Sequence, residues 1–463
     1  MSEIRAVQAL VLGGGISGLV AARDLTEHFG SILVLDKSDQ LGGSLGSALI
    51  AGENVDSGAE AFAVSRNDAL ELIESLGLTD ALVVPDRADA RIRSGDETYL
   101  IPYGILGIPS DLADPSVLAA VGSDALAAAR ELDAKPWNVT APISIGELVR
   151  LRLGDAFVDR ILAPVVGGVH AANPDLLEVD AIAPGLLATA TSLGSLTAAV
   201  SKMRASAAAS RPGGAIMSLR GGMHVLVDAL ASELSNRGVS FLLSSSAKSA
   251  TFADGRWRVI TENGQEISSE VLVVALPSKV AAQLFANDKE LNEPLSQVKT
   301  VDVAIVLLVL RAPELAQAPL GSGVLVTANS EIAAKASTHA TAKWAWLGNK
   351  FGDRHLIRFS YGRDGHLPDD LLGLPAQALE DAIALYGLDS PEVIEAKTVL
   401  WPGALVHPGS GHLEAAKQLN SAVSKRANLA IVGAGLSGNG ITGAIRAAHE
   451  AVTQLSVRYF HND

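Results

Sequence analysis

The chain contains no cysteine among its 463 residues. Disulfide bonds, thiolate metal sites, cysteine nucleophiles and cofactors attached through a cysteine sulfur are therefore excluded. We expect any bound cofactor to be held noncovalently.

Positive charge is also scarce, because 36 Lys and Arg stand against 51 Asp and Glu and the formal net charge is −15 at pH 7. A surface of this charge repels nucleic acids and acidic membranes in bulk. No nucleic-acid partner is expected, and an anionic substrate would need a local patch of positive charge.

Long apolar runs are missing, although 48% of the residues are hydrophobic. The longest run, residues 303–310, has the length of a strand, whereas a membrane-spanning helix needs roughly 18 to 20 residues. Residues 1–5 lead into an apolar run without the cationic start and apolar core of a secretory signal. These absences predict a cytoplasmic protein without a transmembrane segment.

The amino-terminal residues form a glycine-rich nucleotide-binding pattern. An apolar run over residues 7–12 predicts a buried strand, and a helix is predicted after the turn that follows. The turn reads Gly13, Gly14, Gly15, Ile16, Ser17, Gly18, which is GxGxxG in a strand-turn-helix context. The first glycine permits the tight turn, the second lets backbone N–H groups approach a pyrophosphate, and the third lets the helix pack on the strand.

An acidic residue and a second glycine doublet extend this pattern. A predicted strand over residues 31–35 ends in Asp36, at a spacing where a carboxylate binds a ribose hydroxyl and disfavours the phosphate of NADP. Gly42 and Gly43 follow, and then an extended stretch over residues 54–60. This order resembles the FAD-binding oxidoreductases. A second glycine turn into a helix, over residues 429–452, suggests that one cofactor is contacted from both ends of the chain.

The alternation of predicted strands and helices indicates an α/β fold of several domains. We predict a Rossmann-type FAD-binding domain from residues 1–70, 190–275 and 396–463, interleaved with two other domains. One is a mixed-sheet substrate-binding domain over residues 276–395, with parts near 70–90, and the other is a helical domain over residues 90–190.

Ordered motifs also occur between the two glycine turns. They cover residues 99–102, 107–110, 168–171, 194–196, 218–223, 321–325, 401, 411–413 and 433–442. In these motifs the chain resembles the oxygen-dependent porphyrinogen oxidases of haem synthesis, a family of the flavin monoamine oxidase-like superfamily. That family contains protoporphyrinogen IX oxidases and the bacterial coproporphyrinogen III oxidases that form coproporphyrin. The resemblance extends over nearly the whole chain.

The resemblance implies noncovalently bound FAD. Carried over by position, FAD would contact the first glycine turn and Asp36, Lys37, Gly42, Gly43, Ser44, Gly58, Ala59, Glu60, Ala61, Ala247, Trp401, Gly440, Ile441 and Thr442. A helix starting near Ile441 would direct free N–H groups and a positive dipole at the pyrimidine edge of the flavin. Negative charge collects at that edge on reduction.

The implied chemistry removes six hydrogens from a porphyrinogen in three two-electron steps, with electrons passing through FAD to O2 and release of H2O2. Hydride transfer requires mainly a carbon held near the flavin N5, so no catalytic acid, base or metal ion is expected. The candidate substrate contacts are Gly168 and His170, and the arginines Arg66, Arg91, Arg93, Arg204, Arg211 and Arg220, because guanidinium matches carboxylate. Like His170, His407 and His412 could bond a pyrrole N–H or a propionate, but a structural or solvent-exposed role is favoured for each of these histidines.

Several alternatives stay open at this point. Coproporphyrinogen III is the preferred substrate and protoporphyrinogen IX the alternative, since a chain without a membrane helix looks more like the bacterial coproporphyrinogen enzymes. Peripheral membrane contact through an apolar helical face and a partner enzyme of the haem pathway are compatible with the sequence. An amine oxidase or carotenoid desaturase on the same scaffold is a second hypothesis. A porphyrin carrier without turnover is a third, because residues 406–408 and Ala172 depart from the family pattern.

Overall fold

The computed structural model describes residues 5–64, 66–86, 89–206, 216–433 and 439–460. A first sheet, sheet 1, contains the predicted amino-terminal strands. Its spatial order is Ser240–Leu242, Ile32–Leu35, Arg5–Leu12, Glu266–Val274, Arg256–Thr261 and Ala247–Ala253, with Leu429–Ile431 paired to Glu266–Val274. The first four strands and Leu429–Ile431 pair in parallel, and the last two strands pair antiparallel.

Helices cover both faces of sheet 1. One face packs on Ile16–Leu25, His224–Asn236 and Ile441–Phe460. The other packs on Ser278–Leu284, Lys289–Gln297 and His412–Ser424. Burial on both faces explains why the parallel strands are continuous apolar runs instead of alternating ones.

A second sheet, sheet 2, is mixed, as predicted for this part of the chain. Its spatial order is Glu392–Val406, Thr300–Arg311, His355–Tyr361, Ala336–His339, Gly323–Val326, Ala90–Ser94 and Glu97–Leu100. Only the pairing of Gly323–Val326 with Ala90–Ser94 is parallel among these described strands. One face packs on helix Leu374–Tyr386. The other packs on the hairpin Ser47–Ile50 with Glu53–Asp56 and on helices Ala340–Lys343 and Ala345–Phe351.

Helices dominate the middle of the chain and enclose a core of their own. Their bounds are Pro115–Val121, Ser123–Asp133, Ile145–Leu153, Asp155–Phe157, Val158–Leu162, Ala163–His170, Val179–Ile182, Leu186–Leu193 and Leu196–Ser206. Outside this group lie helix Asp68–Ser75 and the short strands Phe62–Ala63, Leu82–Val83, Gly104–Ile105, Ile108–Pro109 and Ile216–Leu219. In the part of the chain that the structure describes, no helix is both long and apolar enough to cross a membrane.

Two predicted domain limits differ from the observed sheets. Residues 396–406, assigned above to the FAD-binding domain, belong to the strand Glu392–Val406 of sheet 2. Ala90–Ser94 and Glu97–Leu100, assigned to the helical domain, are also strands of sheet 2. Glu392–Val406 is an edge strand with few buried side chains, so its sequence lacks the apolar alternation that marks a sheet strand. The other domain limits stay predictions.

Candidate functional site

The glycine turn after the first strand has a shape that only glycine allows. Gly13 has a φ of +103°, and a Cβ there would lie 2.4 Å from the carbonyl oxygen of Ala275. A Cβ at Gly18 would lie 1.8 Å from the carbonyl oxygen of Gly13, so helix Ile16–Leu25 packs directly on the turn. The first N–H groups of this helix have no partner within it and point out of its end, where a phosphate can bind.

Asp36 lies beside this turn at the end of the second strand. Its Oδ2 accepts the N–H of Gly14 at 2.6 Å, and its Oδ1 accepts the N–H of Ser38 at 2.7 Å. Each oxygen keeps a lone pair for a further donor such as a ribose hydroxyl. The N–H of Ser245 donates to the carbonyl of Asp36 at 2.9 Å, which brings the strand that begins at Ala247 close to the same place.

The second glycine doublet packs against the first turn. The N–H of Gly42 donates to the carbonyl of Gly14 at 2.8 Å, and a Cβ at Gly43 would lie 3.2 Å from the Cα of Gly15. A Cβ at Gly15 would meet nothing closer than 3.9 Å. The two glycine segments therefore lie in close contact at Gly15, where a phosphate chain would meet backbone and no side chain.

The loop after the hairpin joins this cradle to sheet 2. The N–H of Ala59 donates to the carbonyl of Ser44 at 2.8 Å, and a Cβ at Gly58 would lie 2.1 Å from the same oxygen. Trp401 donates its indole N–H to the carbonyl of Ser57 at 2.9 Å. The indole ring would come within 3.2 Å of a Cβ at Gly58, so Trp401 is fixed beside the loop.

Glu60 uses its carboxylate in buried ion pairs. Its Oε1 lies 2.6 Å from Nζ of Lys343, and its Oε2 lies 2.5 Å from Nη1 of Arg358. Arg358 also donates to the carbonyl of Gly58. Burial raises the pKa of Glu60, but the charges of Lys343 and Arg358 outweigh it and lower the pKa to about 2. The side chain of Glu60 thus ties the loop to sheet 2, and a cofactor contact of this residue stays a prediction.

The carboxy-terminal helix Ile441–Phe460 begins beside the same segment. Thr442 Oγ1 donates to the carbonyl of Ala63 at 2.8 Å, and Gly440 has a φ of +125°. The first N–H groups of this helix also point out of its end. Residues 434–438 of the predicted rear motif lie outside the described residues.

Asn439 connects this rear turn to the helical region. Its Oδ1 accepts the N–H of Val406 at 2.8 Å and its Nδ2 donates to the carbonyl of Val406 at 2.9 Å, which orients the amide. Nδ2 also lies 3.3 Å from Nδ1 of His170. Burial lowers the pKa of His170 to about 4, so the ring is neutral at pH 7. Its Nδ1 then accepts from Asn439 and its Nε2 carries the proton.

Fold and site together define a dinucleotide-binding protein of the Rossmann class. The parallel sheet, the glycine turn into a helix and the carboxylate after the second strand are its defining features. The residues present fit FAD, because the paired glycine segments at Gly15 adjoin the helix end and Asp36. Trp401 is bonded to the loop at Ser57, and the rear helix is bonded to Ala63 through Thr442.

The chain belongs to the family of flavin containing amine oxidoreductases, whose model matches residues 16–456. It is 29% identical over 463 residues to the coproporphyrinogen III oxidase of Mycobacterium tuberculosis, with 96% of each chain covered. It is 22% identical over 472 residues to that of Staphylococcus aureus, with 96% of this chain and 99% of the relative covered.

Solved structures show the same fold. A protein of Exiguobacterium sp. 255-15, provisionally assigned as a protoporphyrinogen oxidase, has a TM-score of 0.84 at 23% identity, with 99% of both chains covered. Cyclohexylamine oxidase of Brevibacterium oxydans has a TM-score of 0.70 at 14% identity, with 97% of this chain and 98% of that chain covered. The predictions of the family, of the α/β fold class, of an oxidoreductase and of FAD as cofactor are confirmed.

The predicted substrate contacts on the helical side lie at a domain junction. Gly168 lets helix Ala163–His170 approach sheet 2, since a Cβ there would lie 2.6 Å from a methyl group of Leu325. Burial lowers the pKa of both His407 and His412. Among the described residues, no group of three or more His, Asp or Glu side chains could hold a metal ion.

The candidate arginines are dispersed. Arg66 and Arg220 are exposed, as is Lys37. The guanidinium of Arg93 is held by its own hairpin, donating to the carbonyl of Asp96 at 2.8 Å. Arg93 is thus engaged within its own hairpin, whereas Arg66 and Arg220 are open to solvent.

Two of the remaining arginines contact neighbouring side chains, one through an ion pair and one through an aromatic ring. Arg91 lies 3.9 Å from the carboxylate of Asp89, and Arg204 stacks on the ring of Tyr103 at 4.3 Å. Arg211 lies outside the described residues. The ion pair of Arg91 with Asp89 is long and partly exposed, so Arg91 can exchange Asp89 for another carboxylate at little cost.

Two residues of this region were missed in the sequence. Asn439 is described above. Asp56 accepts the N–H of Met223 at 3.0 Å and that of His224 at 3.3 Å, so the motif over residues 218–223 is folded around a carboxylate at the start of helix His224–Asn236. Asp56 lies in the predicted extended stretch and Asn439 in the motif over residues 433–442, so the sequence marked both segments without marking either side chain.

An Asp36→Ala variant is expected to bind FAD about 10- to 100-fold more weakly, because a charge-assisted hydrogen bond to the ribose and the fixed position of Gly14 are lost. Titration of apoprotein with FAD, followed by flavin fluorescence, measures the change. Asp39→Ala, at an exposed position three residues on, is the control and should bind like the wild type. Equal affinity of both variants would contradict the ribose role of Asp36.

Proposed function

We propose that the protein is an FAD-dependent oxidase that converts a porphyrinogen to a porphyrin in haem biosynthesis, with coproporphyrinogen III as its substrate. The observation that carries the proposal is similarity over 96% of the chain to coproporphyrinogen III oxidases from several bacteria. The arrangement of the candidate cofactor segments in the structure, from Gly13 to Thr442, supports it.

The chain's own residues have binding and positioning roles in this reaction. Bound FAD would supply the electron acceptor for three successive two-electron oxidations, after each of which O2 is reduced to H2O2. The glycine turn and Asp36 would hold the pyrophosphate and ribose. The loop at Gly58, Trp401 and the rear helix end would hold the ring system. Neutral His170 beside Gly168 would contact the macrocycle through its Nε2–H, without acting as a base.

We further propose that the substrate lies between sheet 2 and the helical region. Helix Ala163–His170 contacts sheet 2 at Leu325 and contacts the rear turn through Asn439. The site residues and the remaining domain limits given above are part of this proposal. So are a cytoplasmic location, peripheral membrane contact and a haem-pathway partner.

A second candidate is oxidation of an amine, which the family of flavin containing amine oxidoreductases favours. Structures of putrescine oxidase and cyclohexylamine oxidase share the fold, with TM-scores of 0.67 and 0.70. Protoporphyrinogen IX is the alternative porphyrinogen.

Oxygen-electrode measurements with the purified holoenzyme test the proposal. Coproporphyrinogen III, protoporphyrinogen IX, putrescine and cyclohexylamine are each supplied in turn, and H2O2 is measured in parallel. We expect oxygen uptake and peroxide with coproporphyrinogen III, at three O2 per porphyrin formed. Uptake with an amine alone would establish the second candidate, and tight porphyrin binding without uptake would indicate a carrier.

A further inference from the structure

Lys335 is a buried lysine that forms no ion pair with a carboxylate of the described residues. Its residue is 3% exposed. Its backbone is fixed in sheet 2, because its N–H donates to the carbonyl of Ser360 at 2.9 Å and its carbonyl accepts the N–H of Val326 at 2.9 Å. Among the ion pairs of the described residues, none includes Lys335.

Within the part of the chain that the structure describes, the ammonium group of Lys335 has one weak partner. Nζ lies 3.3 Å from the carbonyl oxygen of Gly167, and that oxygen already accepts the N–H of Ala171 at 3.0 Å. An ammonium has three donors, and burial of an unpaired charge is expensive. Burial, and then the charge of Arg363, lowers the pKa of Lys335 to about 8, so most molecules still carry the charge at pH 7.

A second cation, Arg363, lies close to Lys335. Its guanidinium donates to the carbonyls of Val326 at 2.7 Å and Ala334 at 3.1 Å. Burial lowers the pKa of Arg363, and the charges of Asp364 and Asp381 oppose that shift. The carboxylate of Asp381 accepts hydrogen bonds from Ala333, Ala334, Gln377 and Tyr361. Lys335 and Arg363 therefore differ from the cations Lys343 and Arg358, which both form ion pairs with the carboxylate of Glu60.

The position of Lys335 joins it to the candidate substrate site. It contacts helix Ala163–His170 one residue before Gly168. The pKa of His170 is lowered mainly by burial, then by the charge of His407, and also by the charge of Lys335. His170 in turn contacts Asn439 at the rear turn. Contacts therefore run from the rear turn at Asn439, through His170 and its helix, to the buried ammonium of Lys335.

We propose that Lys335 binds a carboxylate side arm of the porphyrinogen and favours a substrate with four carboxylates over one with two. This inference rests on the proposed function. A substrate carboxylate would give the ammonium the strong acceptor that the protein does not provide. It would also supply the local positive patch that an acidic chain needs for an anionic substrate.

The test compares Lys335→Met with Lys335→Arg, which keeps the charge. Steady-state kinetics with coproporphyrinogen III and protoporphyrinogen IX are combined with titration of coproporphyrin III, followed by its fluorescence. For Lys335→Met we expect KM for coproporphyrinogen III and the Kd of coproporphyrin III to rise roughly 10- to 100-fold. The value of kcat should stay within about twofold and KM for protoporphyrinogen IX should rise far less, while Lys335→Arg restores most of the affinity.

A role only in capping helix Ala163–His170 gives a different result. Lys335→Met would then lower the melting temperature and weaken the binding of both substrates equally. If either result were found and the selective loss of coproporphyrinogen III binding were not, the inference would be overturned. Lys425→Met, at an exposed surface ion pair, is the control and should match the wild type. If wild-type enzyme oxidises neither porphyrinogen, the proposed function fails, and the coproporphyrin titration still decides whether Lys335 binds a carboxylate.

Discussion

A Gly18→Val variant is expected to be isolated without flavin and without oxidase activity. A Cβ at this position would lie 1.8 Å from the carbonyl oxygen of Gly13 and 3.2 Å from the Cβ of Ala275. Both obstacles belong to the backbone turn or the adjacent strand end, so neither can rotate away. The turn must open, which removes the close packing of helix Ile16–Leu25 that holds the pyrophosphate. The ratio of flavin to protein in the purified variant measures the loss.

Gly30→Val is the matched control. A Cβ there would meet only the flexible side-chain end of Gln8 at 3.6 Å, so this variant should keep its flavin and its activity. Full flavin content in Gly18→Val would show that the glycine turn does not form the cofactor site.

A Glu60→Gln variant is expected to lose about 3–5 kcal/mol of unfolding free energy, because Lys343 and Arg358 would be left buried without their carboxylate. Urea unfolding monitored by circular dichroism gives the change. Glu53→Gln is the control, since Glu53 forms a more exposed pair with Lys350 at 3.4 Å and such pairs contribute about 0–1 kcal/mol. Equal stability of the two variants would contradict the structural role of Glu60.

The pH dependence of stability follows from the same carboxylate. The pKa of Glu60 is lowered from 4.5 to about 2 in the folded protein. Its contribution is therefore complete above about pH 4.5 and is lost as the pH falls toward 2. Acid unfolding of Glu60→Gln should show a weaker dependence on pH in this window than the wild type.

Much of the cofactor side could be predicted from the sequence because its signals are local. The spacing of Gly13, Gly15 and Gly18 with a following strand and Asp36 depends on one strand-turn-helix unit. The start of the rear helix at Ile441 follows the same logic, and the structure agrees with it.

Other contacts of the candidate site could not be predicted in this way, because they join distant parts of the chain. Glu60 pairs with residues 283 and 298 positions away, and no local pattern reports such a partner. An arginine in a glycine-rich motif suggested a ligand, yet Arg220 is exposed and its motif wraps around Asp56. Lys335 has no motif at all, and only burial without a counterion identifies it.

The central claim, oxidation of a porphyrinogen by the bound flavin, is tested most directly without oxygen. An excess of holoenzyme is mixed anaerobically with coproporphyrinogen III, and the visible absorbance of the flavin is followed by stopped flow. Three flavins should be bleached for each coproporphyrin III formed, and admission of O2 should restore the flavin spectrum with release of H2O2. A flavin spectrum unchanged by both coproporphyrinogen III and protoporphyrinogen IX would contradict the account.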